Sequence, residues 1–316
     1  MTKLKGLLLT EGMHGMISQV EGLAKALNLD FKHQTIKLKK FWNFVPPKLT
    51  PITTNVLSEK FICDAKIIIS CGRKSVIPSI ALKKQFGKNI FNIHIQNPKV
   101  ALSNFDLVVC PKHDDLNGEN ILQTTGAIHY LSAQEIKKNS NYLKVEIANK
   151  KKVSFIIGGP NNYYDFSEKE IDQVFSKIKI KFSPDKYKII IIPSYRTPKE
   201  IIEKANNIFG HDHLVVRSVD KKAYLSALSQ ADYIVVTCDS TSMISEAAVT
   251  GKPIYVANMK ARKKSKRFEA FYSHLKEINI IKDLEDKVET WSYNNLDEVN
   301  RIAPIIKKKM KSNGII

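Results

Sequence analysis

The sequence predicts an α/β protein built from two doubly wound parallel sheets. Three observations carry the prediction. Short β-branched runs alternate with apolar residues at helical spacing along the whole chain. These runs end again and again in small polar or glycine-bearing loops, the usual hand-over from a parallel strand to its crossover helix. The alternation is interrupted once, by a polar, lysine-rich stretch from Lys137 to Lys152, and then restarts. At 316 residues with 43% hydrophobic content, the chain is long enough to bury two cores.

Taken in order, Leu4 to Thr10 reads as a strand, followed by the loop Glu11-Gly-Met-His-Gly15. Ile17, Val20, Leu23, Ala24 and Leu27 then recur at helical spacing, with Asn28 closing the helix. Further strands are expected at Gln34 to Leu38, Lys66 to Cys71, Ile90 to Ile95, Leu107 to Cys110 and Asn120 to Gln123, and a helix at Val76 to Phe86. Phe41 to Ile52, punctuated by Pro46, Pro47 and Pro51, reads as a loop or lid. After the polar stretch come a strand at Val153 to Ile157, a helix at Ser167 to Phe182 and a strand at Lys188 to Pro193. A helix at Pro198 to Phe209, a strand at Leu214 to Arg217 and a helix at Lys221 to Ala231 continue the series, and a last helix covers Leu296 to Lys311. The expected domains are therefore 1–145 and 146–295, with a terminal helix at 296–316.

The most informative stretch runs from Ile234 to Val256. Ile234 to Val236 suits a buried parallel strand, Asp239 or Ser240 can cap the helix that follows, and Gly251 with Pro253 ends it before the strand at Ile254. Asp239, Ser240, Thr241 and Ser242 thus fall at a strand's carboxyl end and a helix's amino end, where unpaired N–H groups favour an anionic or polyhydroxylated ligand. Glu246, one to two turns further on, could reach sugar hydroxyls. The simpler reading leaves the hydroxyls as caps and Glu246 solvated. Two other loops share this edge. Gly158 and Gly159, after the strand at Val153, let backbone approach a diphosphate or merely serve a tight turn. Ser194-Tyr-Arg-Thr-Pro198 supplies Arg196, a planar and permanently charged phosphate partner, and Thr197.

The first half carries its own strand-end loops, with Gly12, Gly15, Gln19, Arg73 and Gln96 as candidate site residues. His94, His113 and His129 follow strands, whereas His33, His211, His213 and His274 read as surface or packing residues. His94, or His113 beside Asp114, could act as a general base, although structural histidines are the commoner case. No His or carboxylate pair has the i, i+4 spacing of a metal-binding helix, so neither a metal nor a separate cofactor is expected.

The formal charge of +19 invites polyanionic partners. The lysines are spread along the chain, with local concentrations at Lys37 to Lys40, Lys150 to Lys152, Lys260 to Arg267 and Lys307 to Lys311. Most of these read as solvated faces; the 260–267 run, near the proposed site, reads equally as phosphate-facing. No zinc finger, aromatic RNA-binding motif or basic zipper accompanies the charge, and nucleic acid is not the expected partner. Cys63, Cys71, Cys110 and Cys238 form no C-x-x-C pair and read as reduced, mostly buried thiols. No apolar run reaches the length of a membrane span and the amino terminus lacks a signal-peptide pattern, so a cytoplasmic address is expected.

Several blocks in order resemble the elongated-mitochondria (mitochondrial fission ELM) family over most of residues 4 to 278. They are Glu11 to Gln19 with Gly22-Leu-Ala, Ser70-Cys-Gly-Arg73, His94-Ile-Gln96, Phe105 to Val109, Pro111 to Asp114, and Thr124 to Ala127. Gly158-Gly159, Arg196-Thr-Pro198, Asp239 to Glu246 and Gly251-Lys-Pro253 complete the set. Glu11, Ser18, Asn97 and Tyr195 depart from the usual pattern. The resemblance implies a fold like that of GT-B glycosyltransferases: two Rossmann-like domains facing across a cleft, with the final helix crossing back to the first domain.

In that fold a nucleotide-sugar donor sits mainly on the second domain. Gly158 and Gly159 would approach the diphosphate, Ser240 to Ser242 the phosphates, and Glu246 the ribose, while a first-domain base would deprotonate an unknown acceptor hydroxyl. The expected activity is a metal-independent glycosyltransferase, with a lipid-linked or cell-envelope acceptor reached through peripheral contact with the inner face of an anionic membrane. The plant members are described as adaptors recruiting a dynamin-like GTPase, which sets a non-catalytic interaction protein beside the enzyme. Fold alone does not choose between them.

Overall fold

The computed structural model describes residues 3–146 and 149–316; Met1, Thr2, Ile147 and Ala148 lie outside the described residues, the latter two within the stretch expected to join the domains. By its contacts the chain divides into a first unit, Met1–Tyr130 with Asp297–Ile316, and a second, Leu131–Leu296. The division thus falls upstream of the expected 145/146 boundary. The reason is local: a short helix, α3 (Ala133–Lys138), follows Leu131, and the segment after it is tied to a helix of the second unit. The Leu143 amide donates to Ser226 Oγ at 3.0 Å, and Gln230 Nε2 donates to the Ser140 and Leu143 carbonyls at 2.9 and 2.8 Å.

The first unit is a six-stranded parallel sheet in the order β2-β1-β3-β4-β5-β6. Its strands are β1 (Lys5–Thr10), β2 (Asp30–Thr35), β3 (Ile67–Cys71), β4 (Phe91–Ile95), β5 (Leu107–Pro111) and β6 (Ile121–Thr124). Helix α1 (His14–Ala26) follows β1, and α2 (Val76–Phe86) occupies the predicted residues. Strands β3, β4 and β5 are buried at every position, which is why they read as uninterrupted apolar runs. The strand expected at Gln34 to Leu38 lies four residues earlier, as β2, on the sheet's edge. There it needs little apolar content, whereas Ile36 packs in the core beyond its end. Phe41 to Ile52 forms no long element; Lys40–Asn43 and Pro47–Leu49 are single 3-10 turns, with another at Thr54–Val56.

Helix α9 (Glu298–Ser312) belongs to the first unit although it closes the chain. Its Ile302, Ala303, Ile306 and Met310 join Val20, Leu23 and Ala24 of α1 in one buried cluster. Glu298 fixes its start: Oε2 accepts the Thr125 amide at 2.8 Å, and Arg301 donates both to that carboxylate and to the Gln123 carbonyl.

The second unit is again six parallel strands, in the order β12-β11-β10-β7-β8-β9. These are β7 (Lys151–Ile157), β8 (Tyr187–Pro193), β9 (Leu214–Val215), β10 (Tyr233–Thr237), β11 (Ile254–Ala257) and β12 (Ile281–Asp283). The connecting helices are α4 (Glu168–Lys181), α5 (Lys199–Phe209), α6 (Lys221–Gln230), α7 (Thr241–Ala248) and α8 (Lys266–Glu277). Read from β9, the order is that of a dinucleotide-binding sheet, with its topological switch between β7 and β10. In the first unit the switch lies between β1 and β3. Both units are Rossmann-like, and the architecture is GT-B-like. Among the described residues no cysteine is in a disulfide, and Cys71, Cys110 and Cys238 are buried. Among the described residues no helix is long and apolar enough to cross a membrane.

Candidate functional site

In open α/β sheets ligands bind beyond the carboxyl ends of strands at the switch point. In the second unit that point is framed by the turns after β7, β8 and β10, and the three turns interlock. Arg196 Nη1 donates to the Gly159 carbonyl at 2.7 Å, and Nη2 donates to Asp239 Oδ2 at 2.5 Å. The Gly159 amide donates to the same carboxylate at 3.2 Å, and the Gly158 amide to Thr237 Oγ1 at 2.8 Å. Thr237 in turn donates to Asp239 Oδ1 at 2.6 Å. Asp239 is 2% exposed. Burial pulls its carboxyl above the ordinary value, against the opposing pull of Arg196, Thr237 and the Gly159 amide.

This bracket corrects the expectation for five residues. The Gly158 and Gly159 amides are engaged within the protein and do not stand bare for a diphosphate. Glycine is needed here for close approach: a Cβ at Gly158 would stand 2.0 Å from Asp239 Oδ1, and one at Gly159 2.0 Å from the Arg196 carbonyl oxygen. Arg196 neutralises Asp239, and Thr197 Oγ1 lies 2.7 Å from the Gly158 carbonyl while accepting the Ser194 amide at 2.8 Å. Asp239 is a buried strut, not a helix cap.

The cap of α7 is Ser240, whose Oγ accepts the Met243 amide at 3.3 Å. The Thr241 and Ser242 amides, in the helix's first turn, have no acceptor among the described residues, and both residues are half-buried. Glu246, one turn further on, is also half-buried; Oε2 accepts a hydrogen bond from the Tyr224 hydroxyl at 2.8 Å. Burial raises its carboxyl to about 7. The second unit therefore offers a dipole-favoured helix start, two hydroxyls and a carboxylate poised between charge states. Thr237 and Tyr224 escaped the sequence reading. Thr237 carried a signal, as the polar end of an apolar run; Tyr224 carried none. In the basic run, Arg262 pairs with Asp165 at 3.0 Å and Lys263 lies over the Tyr163 ring at 5.0 Å.

In the first unit, the loops after β1, β3 and β4 meet. Gln19, 6% exposed, donates to the Gly15 carbonyl at 3.2 Å and accepts from Gln96 Nε2 at 3.3 Å. Gln96 holds φ at +82°, a conformation that side chains rarely adopt, directly after β4. The Gly12 amide donates to Thr10 Oγ1 at 3.0 Å. Glu11 reaches across the switch point to accept the Lys74 amide at 3.1 Å. Arg73 turns away from this cluster and donates to the Val45 carbonyl at 3.0 Å and to that of Asn43.

The histidines divide. His94 lies within β4, 1% exposed, with Nδ1 2.9 Å from Ser70 Oγ and its ring against Phe105. Burial lowers its pKa to about 3. It is a core residue, which corrects its assignment as a base at a strand end. His113 and Asp114 do come together after β5, with Nε2 3.9 Å from Oδ1 and both side chains largely buried. His129 is buried where α1 passes: a Cβ on Gly22 would meet its carbonyl oxygen at 2.5 Å.

The model of the family described as "Mitochondrial fission ELM1" matches residues 14–310. The chain belongs to this family. It is 26% identical over 282 residues to the "Mitochondrial fission protein ELM1" of Arabidopsis thaliana, covering 78% of this chain and 64% of the plant protein. The chain thus spans less than two thirds of that relative's length. Among solved structures, the fold matches an S. aureus MnaA–UDP co-structure with a TM-score of 0.55 at 14% identity, over 99% of this chain and 98% of that one. It matches the "Glycotransferase of kitacinnamycin" with a TM-score of 0.55 at 11% identity, over 99% and 94% of the two chains. In this ELM1-family chain, Gly158, Arg196 and Asp239 form the internal frame that holds α7's first turn at the switch point.

Proposed function

We propose that this ELM1-family chain is a nucleotide-sugar-dependent glycosyltransferase whose second unit takes the donor's diphosphate at the amino end of α7. The supporting observation is the pairing of a rigid bracket with the Thr241 and Ser242 amides beside it. A leaving diphosphate gains negative charge, and fixed N–H donors at a helix start stabilise that charge without reorganising. Glu246 accepts from the ribose hydroxyls, held by Tyr224. The first unit's Gln19 and Gln96 loops take the acceptor. A lipid-linked acceptor at an anionic membrane surface agrees with the basic charge.

A second reading has its own support. Both glycine amides and the Arg196 charge serve the fold, as they would in a non-catalytic interaction protein that keeps the architecture, and the plant relative's name is that of a fission protein. Calorimetric titration with UDP-, GDP- and CMP-sugars separates the two. Arg196→Ala is unsuited to that test because it strips Asp239 of its cation. Thr241→Pro is suited: it deletes one N–H, proline is tolerated at the first helical position, and Ser240 already holds φ −139° and ψ 107°, which proline accepts. The transferase reading expects one nucleotide-sugar to bind, at least tenfold more weakly in Thr241→Pro and in Glu246→Gln. Absence of binding to all three by the folded protein favours the adaptor.

A further inference from the structure

The connection between β2 and β3 presents large apolar side chains to solvent. Phe41 is 68% exposed, Phe44 83%, Leu49 72% and Ile62 90%. Phe41 and Phe44 stand three residues apart on one 3-10 turn, a spacing at which side chains eclipse and share a face. The display is not a loose loop. Beneath it, Trp42 and Val56 pack against Val76, Ile77 and Ile80 of α2. Arg73 holds the Val45 and Asn43 carbonyls, Asn43 Nδ2 donates to the Leu38 carbonyl at 3.3 Å, and Thr50 Oγ1 donates to the Pro46 carbonyl at 3.0 Å. The backbone is pinned while these apolar side chains stand exposed.

Their neighbours select the partner. Lys39, Lys40, Lys48 and Lys60 are exposed in the same connection and take part in no ion pair among the described residues, whereas Lys37 is matched by Glu59 at 3.3 Å. Apolar side chains on short separate turns, interleaved along the chain with unmatched cations, fit a receptor that is apolar below, anionic above and indifferent to spacing. We propose that the connection between β2 and β3 is a bilayer-docking surface, inserting Phe41, Phe44 and Leu49 among the acyl chains of an anionic membrane while Lys39, Lys40, Lys48 and Lys60 meet the headgroups. This deepens the membrane part of the reading above and is independent of its nucleotide-sugar part.

The test is sedimentation of the full chain with phosphatidylcholine vesicles, with and without phosphatidylglycerol. Binding to the anionic vesicles is expected, at least tenfold weaker in Phe41→Ser/Phe44→Ser/Leu49→Ser and unchanged in Ile180→Ser, another exposed apolar residue at 80% exposure. Lys39→Gln/Lys40→Gln/Lys48→Gln should weaken it by a similar factor and reduce its salt dependence. Trp42, whose ring lies 4.9 Å from that of Phe41, supplies a second readout: in Trp291→Phe protein its fluorescence should be quenched by brominated lipid. No binding to anionic vesicles, or equal binding by the triple serine variant, overturns the proposal; equal binding to both vesicle types overturns the lysines' role. If the triple variant still binds nucleotide-sugar as the parent does, a failure here leaves the donor site standing.

Discussion

Arg196 and Asp239 show how a residue that looks like a ligand contact can be a strut. The guanidinium spans two turns, and the carboxylate it neutralises is buried, so removing the cation strands a charge in the interior. Such a loss costs about 3–5 kcal/mol. Arg196→Ala should therefore lower stability in urea denaturation by that order, and Arg196→Lys should not restore it, because an ammonium lacks the planar fork that reaches Gly159 and Asp239 together. Combining Arg196→Ala with Asp239→Asn should recover part of the loss; a cost below about 1 kcal/mol for Arg196→Ala would contradict the strut. Glu246 makes the complementary case. Its carboxyl is raised to about 7 by burial, with the Tyr224 hydrogen bond pulling the other way. The folded state then holds the proton more tightly than the unfolded one, so this residue's penalty grows from about pH 4.5, the unfolded value, to about pH 7 and is constant above. Glu246→Gln should thus stabilise the protein above pH 7 by up to about 3 kcal/mol and change nothing below about pH 4.5, as denaturation at the two ends of that range will measure.

Whole elements were legible where burial governed them. Strands β3, β4 and β5 are covered on both faces, so their sequences are nearly continuous apolar runs, and α2 fills its predicted span. Legibility failed where another requirement governed. Strand β2 is an edge with a mostly polar sequence, and Ile36, which packs beyond it, drew the expected strand downstream. Helix α8 begins inside the basic run, whose charge masked the helical spacing of Phe268, Phe271, Tyr272 and Leu275; Phe271 and Leu275 are the buried pair. That the turns after β7, β8 and β10 share one edge was legible for a similar reason, since parallel strands must end in loops on one edge. Their hydrogen bonding was not. Gly159 meets a carboxylate 80 positions away, and nothing in the local sequence distinguishes a glycine that admits a phosphate from one that admits an aspartate.

Across the whole molecule, the two tryptophans divide between the two units, Trp42 in the first and Trp291 in the second. Each has an aromatic neighbour that will be lost on unfolding: Phe41 for Trp42, and Tyr255, with ring centroids 5.3 Å apart, for Trp291. Trp42→Phe and Trp291→Phe proteins therefore give separate fluorescence reports on the second and first units. A ligand that binds only the folded second unit stabilises that unit by mass action, by about 2.7 kcal/mol at a hundred times its dissociation constant. With a nucleotide-sugar that binds in calorimetry, the Trp291 signal should move to higher urea while the Trp42 signal stays in place. The reverse pattern would put the donor on the first unit and remove α7's first turn as the donor site, whatever the titration had shown. Equal movement would mean that the ligand engages both units only where the two signals report separate transitions without ligand.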